Sequence, residues 1–325
     1  MATMKDIAAI CETSIATVSY VLSGRGDERR ISAAMQERVV KTADELGYDM
    51  TARLRKNRRP IVAVYWAQQL NSMLPSFIVG MNTALSVAPV NVDVSIRPFE
   101  AGRLSEQRTL WMPGRAGTSV IVSASKEDLE MLKERRTTYP AVLLNRSVPG
   151  YPSVSIDEDE AGQMAVEHAI ACAGNDVILV VPDKWLLGAQ YRRRSIQETC
   201  ARCGLSLRAS YPCGIEIDDG YALGQKLLLD GMVSRAIICV YDTVAIGLEQ
   251  AFREAGLQPG RDVELITMSM SYNSTNTRLY QSMTVVDLRQ VEVSIRGINM
   301  AIELASRGGK DRRQIVIHPA LIPHR

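Results

Sequence analysis

Seven short runs rich in valine, isoleucine and leucine recur between residues 61 and 267, and amphipathic stretches of helical length lie between them. Such apolar runs predict strands that are buried on both faces, as in a parallel sheet. Stretches such as 160–173 and 243–256 would form the crossover helices that connect parallel strands. The predicted strands lie at 61–66, 92–96, 119–123, 141–145, 176–181, 236–240 and 263–267.

These runs form two consecutive series, so we expect residues 61–325 to fold as an α/β core with two Rossmann-like lobes. Ligands of such sheets bind beyond the carboxyl ends of the strands. The sequence therefore predicts a small-molecule site in a cleft between two parallel sheets.

Residues 1–48 follow a helical pattern instead. We expect helices at 6–12, at 15–22 behind an N-cap at Ser14, and at 33–46 behind an N-cap at Ser32. The apolar stripes of the first and third helices would comprise Ile7, Ile10, Met35, Val39, Ala43 and Leu46. Three short helices, two of them joined by a tight turn, predict a helix-turn-helix domain at residues 1–48.

The second helix of such a domain lies in the DNA major groove, with its first residues against the base edges. That stretch begins here at Ser14. Thr17 and Ser19 can donate hydrogen bonds to phosphate oxygens. Ile15 and Ala16 can contact a thymine methyl group, and Tyr20 can reach a base or a phosphate. A helical hairpin without a DNA role would show the same pattern, so this pattern alone leaves both interpretations open.

A basic segment separates the two regions. Residues 53–59 carry five cationic side chains in seven positions, and Pro60 follows them. A cluster of this kind between two domains predicts phosphate contacts, although a solvated linker has the same composition. We therefore expect residues 49–60 to form a basic hinge.

Several stretches of the N-terminal region share their order and spacing with a known signature. They are residues 3–8, 14–19 and 21–24, and then 32–48 with the elements Glu-Arg-Val-Val and Glu-Leu-Gly-Tyr. They resemble the headpiece of the lactose-repressor (LacI/GalR) family of transcription regulators. A weaker resemblance continues through 189–192, 219–221, 241–247 and 318–322. It implies a headpiece, a hinge, a core like periplasmic sugar-binding proteins, and a homodimer on a near-palindromic operator in double-stranded DNA.

The resemblance also implies particular DNA contacts. It places base contacts at Ile15, Ala16 and Tyr20, and many members have arginine or histidine where this chain has Tyr20. Thr3 and Lys5, in the first matching stretch, are expected to contact DNA as well.

In the hinge of relatives, a leucine enters the minor groove at the centre of the operator. The matching residue here is Leu54, in a linker that is about four residues, or roughly one helical turn, shorter. We expect Leu54 to be this wedge, with phosphate anchors beside it; packing of Leu54 on the core is the alternative. The anchors would be Arg53, Arg55 and Lys56.

The polar part of an effector site is present at the positions that the resemblance implies. Arg192 would donate two parallel hydrogen bonds to paired hydroxyls or to a carboxylate of the effector, and Asp242 would accept hydrogen bonds from it. Asp157 and Asn145 follow strands, where such residues either bind a ligand or cap a helix.

The aromatic part of a sugar site is largely missing. Where relatives often have Asn-Pro-Phe-Phe, this chain has Ser72 and Met73 within residues 71–74, and where they have Gly-Phe-Asp-Asp, it has Ser269 within residues 267–270. Ile215 stands where an aromatic residue is usual, and Tyr241 where an asparagine is usual. Stacking under a sugar ring needs flat aromatic faces. The predicted effector is therefore a small molecule that is a sugar, a modified sugar, a nucleobase-like compound or another metabolite.

Other classes of protein fit less well. No G-x-S-x-G elbow, P-loop or H-E-x-x-H motif occurs, and His168, His318 and His324 form no catalytic set that the sequence supports. Cys200 and Cys203 form a CxxC without a second ligand pair, so we interpret them as structural. We expect no catalytic residue, no metal and no cofactor.

The chain has no run of about 20 apolar residues and does not begin with a signal-peptide pattern, so we expect a cytoplasmic protein without a membrane partner. Two alternatives stay open. One is a small-molecule binding protein that does not bind DNA, and the other is a DNA-binding regulator whose core serves only dimerisation.

Overall fold

The structure, a computed structural model, describes residues 2–48, 60–68, 73–111, 116–183, 187–307 and 312–324. The chain forms two compact units. The first comprises Met1–Leu70, Met81–Ser155 and Ile295–Ile315, and the second comprises Asn71–Gly80, Ile156–Ser294 and Val316–Arg325. The predicted headpiece (1–48) ends next to residues outside the described ranges, and most of the predicted hinge (49–60) lies among them. Both boundaries therefore stay predictions.

The N-terminal helices are α1 (Met4–Ile10), α2 (Ile15–Leu22) and α3 (Ala33–Glu45). Helix α2 has the predicted bounds, whereas α1 begins two residues earlier than predicted. The reason is a capping box, in which the Thr3 hydroxyl accepts from the backbone N–H of Asp6 and the Asp6 carboxylate accepts from the N–H of Thr3.

The core of these three helices follows the predicted stripes with one exception. Ile10 is 51% exposed, so the prediction that it shares the buried face with Ile7 is wrong. Cys11, four residues after Ile7 and therefore on the same face, is buried instead. The buried apolar residues are Ile7, Ala8, Cys11, Val18, Val21, Leu22, Val39 and Ala43.

A six-stranded sheet that lies in the first unit, except for the last residues of β5 and β11, has the order β11-β5-β4-β3-β1-β2. Strand β1 pairs in parallel with β2 and β3, and β4 pairs in parallel with β3 and β5. The apolar residues of β1 from Val62 onward are almost fully buried, as predicted for a strand covered on both faces. The strands are β1 (Ile61–Ala67), β2 (Asp93–Phe99), β3 (Ala116–Val122), β4 (Ala141–Leu144), β5 (Ser153–Ile156) and β11 (Gln314–Ile317).

The second unit contains another six-stranded sheet, with the order β12-β10-β9-β8-β6-β7. Its neighbours pair in parallel except at the edge, where β12 runs antiparallel to β10. The prediction of parallel sheets is confirmed apart from this strand, and an antiparallel edge strand is common in such sheets. The strands are β6 (Val177–Pro182), β7 (Ala209–Cys213), β8 (Ala236–Cys239), β9 (Glu264–Ser269), β10 (Thr284–Asp287) and β12 (Ala320–Ile322).

Helices connect these strands, as the alternation in the sequence predicts. Two of them, α4 and α11, are divided between the two units. No helix in the part of the chain that the structure describes is long and apolar enough to cross a membrane. The helices are α4 (Leu74–Ser86), α5 (Arg108–Trp111), α6 (Lys126–Glu134), α7 (Glu158–Ala173), α8 (Leu187–Cys203), α9 (Ile217–Leu229), α10 (Asp242–Glu254) and α11 (Gln290–Arg307).

Two glycines set the distance between α9 and α10. A Cβ atom on Gly220 would lie 2.2 Å from the carbonyl oxygen of Val244, and one on Gly247 would lie 2.0 Å from that of Ile217. Any side chain at either position would force the helix backbones apart. This close approach fixes the start of α10, where Tyr241 and Asp242 lie.

Candidate DNA-binding surface and effector site

The first turn of α2 presents the residues that we predicted to contact DNA. The Ser14 hydroxyl accepts from the backbone N–H of Thr17 at 3.0 Å and lies 2.9 Å from the Thr17 hydroxyl. Ile15 is 48% exposed, Ala16 is exposed, and Ser19 and Tyr20 are partly exposed. Because the opposite face of α2 packs into the headpiece core, this turn is the one that α2 can offer to a groove.

Two arginines that the sequence reasoning missed flank Tyr20. The guanidinium carbon of Arg29 lies 4.7 Å from the centre of the Tyr20 ring, and that of Arg25 lies 5.7 Å from it. The loop that carries them is held by Gln36, whose amide donates to Asp27 at 2.9 Å and to the carbonyl of Ile31 at 2.7 Å. The signal in the sequence is three arginines within residues 25–30, between the second and third predicted helices.

The structure says less about the other residues that we predicted to contact DNA. The Thr3 hydroxyl is engaged in the capping box of α1, and Lys5 is exposed on the same helix. The hinge residues Arg53, Leu54, Arg55 and Lys56 lie outside the described residues, as does Ser72 of the predicted effector site.

Arg25 and Arg29 both lie beside the Tyr20 ring, and Arg25 also pairs with Glu28 at 2.9 Å; we expect both guanidinium groups to contact phosphates. We expect the double substitution Arg25→Ala and Arg29→Ala to weaken binding to all DNA sequences and to reduce the slope of log affinity against log salt by about 2. Fluorescence anisotropy at several salt concentrations measures that slope. Lys41→Ala removes a cation from α3 that pairs with Glu45, and it is the control that should leave the slope unchanged.

Arg192, on α8, is a buried cation, and one nitrogen of its guanidinium group is left without a hydrogen-bond partner by the described residues. Its side chain is 2% exposed, and its Nε and Nη2 lie 2.8 and 3.4 Å from the two carboxylate oxygens of Glu158. Nη2 also contacts the sulfur of Met270 at 3.2 Å, and the guanidinium lies 5.9 Å from the centre of the Tyr241 ring. Among the described residues, buried Nη1 has no hydrogen-bond partner.

The surroundings of Arg192 favour the charged form of its side chain. Burial is the largest single influence and would lower its pKa, but Glu158, Tyr241 and Asp242 together outweigh burial, so the pKa of Arg192 lies above its ordinary value. A buried charged N–H without a partner is costly, and an acceptor on a bound molecule would remove that cost.

Asp242, at the start of α10, lies in a network of hydroxyl groups. It is 3% exposed, and its Oδ2 accepts from Ser269, Ser271 and Tyr280, the last at 2.9 Å. Its Oδ1 accepts from the backbone N–H of Thr243 at 3.0 Å. Burial and the neighbouring carboxylate both raise the pKa of Tyr280, which keeps the phenol protonated and donating.

This network changes the interpretation of Asp242. The sequence placed Asp242 and Ser269 in the effector site, and the structure brings them together, but protein donors already occupy both carboxylate oxygens. Sequence reasoning missed Ser271 and Tyr280, because nothing local marks residues 29 and 38 positions away from Asp242 as its partners.

The remaining predicted effector residues occupy separate places. In the second unit, Asp157 caps α7 by accepting from the N–H of Glu160 at 2.9 Å. The carbonyl of Ile215 accepts from the hydroxyl of Thr243, and Met73 is buried. In the first unit, the Asn145 amide donates to Ser123 at 3.1 Å, where β4 and β3 end. Their roles in ligand binding stay predictions.

Comparisons with known proteins agree with this architecture. Residues 3–50 match the profile of bacterial regulatory proteins of the lacI family, and residues 166–325 match that of the periplasmic binding protein-like domain. Together the two profiles cover well over half of the chain.

Curated relatives match over nearly the whole chain. The HTH-type transcriptional repressor PurR of Pasteurella multocida (strain Pm70) is 22% identical, with 99% of this chain and 97% of the relative covered. The HTH-type transcriptional repressor MelR of Bacillus subtilis (strain 168) is 24% identical, with 93% and 91% covered.

Solved structures share the fold. A LacI family transcription regulator from Clostridium acetobutylicum superposes with a TM-score of 0.76 and 21% identity over 82% of this chain and all of that one. The lac repressor dimer bound to operator and the anti-inducer ONPF gives a TM-score of 0.67 and 17% identity, over 99% of this chain and 97% of that one.

Proposed function

We infer that this chain, which belongs to the LacI family of bacterial regulatory proteins, binds an operator in double-stranded DNA and represses transcription under the control of a small effector. The observation that carries this proposal is the exposed first turn of α2, where apolar and hydroxyl side chains lie together on a capped helix end. Family members are transcription regulators rather than enzymes, and we assign this chain no catalytic role.

The proposed DNA-binding species is a homodimer on a near-palindromic site. A two-fold symmetric pair of headpieces requires two half-sites of related sequence, about one helical turn or a multiple of it apart. The lac repressor is a dimer in its operator-bound structure, which supports the same arrangement here. The proposed location is the bacterial cytoplasm, because operator DNA lies there.

The proposed effector contains a hydrogen-bond acceptor that pairs with Nη1 of Arg192. A carboxylate, a carbonyl or a sugar hydroxyl meets this requirement, and Tyr241 offers one aromatic face beside the guanidinium. Relatives carry names such as ribose operon repressor and PurR, and a related regulator, CelR, has been solved with cellobiose. The effector of this chain would control DNA affinity by binding one conformation of the core more tightly than another.

A core that serves only dimerisation is the second candidate. The observation that favours it is the Asp242 network, because a carboxylate whose oxygens are occupied by protein donors has little capacity left for a ligand. The unpaired nitrogen of Arg192 opposes it.

A selection from random DNA duplexes at fixed salt tests the DNA-binding proposal directly. We expect a near-palindromic winner that the purified protein binds at least about 1000-fold more tightly than random DNA. Anisotropy on the winner, with and without a pool of cell metabolites, then shows whether a small molecule releases or tightens the complex. If no DNA sequence is enriched either in the presence or in the absence of the cell metabolites, the proposal is contradicted.

A further inference from the structure

Four potential metal ligands from three parts of the chain meet at the amino end of the second sheet. His168 and Cys172 lie four residues apart on α7, Glu264 is the first residue of β9, and His324 follows β12. The carboxyl ends of the same strands carry Ser269 and the Asp242 network, so this cluster is a separate place in the second unit.

The geometry around His168 is unusual for an ordinary hydrogen-bond network. Its Nε2 lies 3.2 Å from Glu264 Oε1, 3.1 Å from the Thr284 hydroxyl and 3.5 Å from Cys172 Sγ. One imidazole nitrogen offers either one proton or one lone pair, so it can satisfy only one of these three neighbours. The Thr284 hydroxyl lies 2.6 Å from Glu264 Oε1, within donating distance.

Two of the three distances between the potential ligand atoms are close to those around a bound cation. One atom each from His168, Cys172 and Glu264 lie within 4.8 Å of one another. Tetrahedral Zn²⁺ with bonds of about 2.0–2.3 Å to nitrogen, oxygen and sulfur separates its ligand atoms by roughly 3.3–3.6 Å. The nitrogen–oxygen distance of 3.2 Å and the nitrogen–sulfur distance of 3.5 Å are close to that range.

The buried negative charge of Glu264 also favours a bound cation. The Glu264 side chain is 8% exposed, and its ion-pair partners in the described residues are two imidazoles, His168 and His324. A carboxylate in a buried site needs a positive partner. A divalent cation supplies that charge.

We propose that His168, Cys172 and Glu264 bind one Zn²⁺ ion, with His324 as a positioning residue. His324 Nδ1 is buried without a hydrogen-bond partner among the described residues and lies 3.2 Å from Glu264 Oε2, the carboxylate oxygen that does not face His168. Turned to donate to that oxygen, it would hold the carboxylate in its ligating orientation. Imidazole, thiolate and carboxylate together suit Zn²⁺ better than the harder cations Mg²⁺ and Ca²⁺. The exposed Cys172 leaves the fourth position open to water. The ion would join α7 to the start of β9.

Metal titration of the untagged protein, stripped with a chelator and kept reduced, tests this proposal. We expect one Zn²⁺ per chain by calorimetry and, with Co²⁺ as the probe, an absorption band from cobalt–thiolate charge transfer. Cys172→Ser should abolish that band and weaken Zn²⁺ binding at least about tenfold, and His324→Gln should weaken binding while leaving the band. Zn²⁺ should also raise the unfolding temperature of the wild-type protein.

Two matched variants exclude the other candidate ligands. Cys203→Ser removes the other exposed cysteine, which belongs to the CxxC on α8, and His318→Ala removes the imidazole from the cluster with Asp157 and Glu160. Both should bind Zn²⁺ as the wild-type protein does. The proposal is overturned if no stoichiometric Zn²⁺ binds, or if one of these variants rather than Cys172→Ser loses the ion.

Discussion

Replacing Ile15 by aspartate will abolish sequence-specific DNA binding while the headpiece stays folded. Ile15 is the first residue of α2 and is 48% exposed, so its side chain contributes little to the headpiece core. An acidic residue in the first turn of a helix is favourable by about 0.3–1 kcal/mol, so the helix is not weakened. On DNA the same carboxylate would face phosphates and base acceptors, and a good base contact is worth about 1–3 kcal/mol.

We expect the affinity of Ile15→Asp for the selected duplex to fall by roughly 100-fold or more, as measured by anisotropy at fixed salt. Ile10→Asp is the control, since Ile10 is 51% exposed and lies at the end of α1, outside the predicted contact surface. A carboxylate at a helix C-terminus is unfavourable by about 0.3–1 kcal/mol, so this variant is the more severe test of folding. Circular dichroism should show that both variants fold. An equal loss of affinity in the two variants would mean that α2 has no special role in recognition.

Local patterns predicted most of the fold. Strand β1 was recognised because both of its faces are buried, which leaves a continuous apolar run in the sequence. Helix α2 was bounded correctly because Ser14 caps its start and Gly24, with a φ of 71°, follows its end. These signals are local, so they can be recognised in the sequence without knowledge of the tertiary structure.

The candidate sites depend on contacts that are distant in sequence, and there the predictions were incomplete. Arg192 was identified, but its partner Glu158 and the spare nitrogen were not, because a bidentate pair 34 residues apart leaves no periodic signal. In the cluster around Glu264, only the four-residue spacing of His168 and Cys172 was visible. His324, which the sequence does not connect with them, meets them through the order of strands in the sheet.

Arg192→Lys will remove the response to the effector and leave operator binding intact. Lysine can keep the ion pair with Glu158, but its single ammonium group cannot also place a second nitrogen where Nη1 now lies. Alanine is a poorer test, because it would leave Glu158, whose side chain is 13% exposed, without its cation.

The probe for this test is the metabolite fraction that changes the anisotropy of the wild-type complex with its selected duplex. Losing a buried charged hydrogen bond to a ligand costs about 2–5 kcal/mol, so the half-effective concentration of the fraction should rise at least about 30-fold. Arg194→Lys is the control, because Arg194 is two residues away on α8 but 56% exposed in its pair with Asp159. A wild-type response in Arg192→Lys would mean that Nη1 contacts no effector and that the effector binds elsewhere. If no metabolite fraction changes the wild-type complex at all, a core that serves dimerisation alone would be favoured instead.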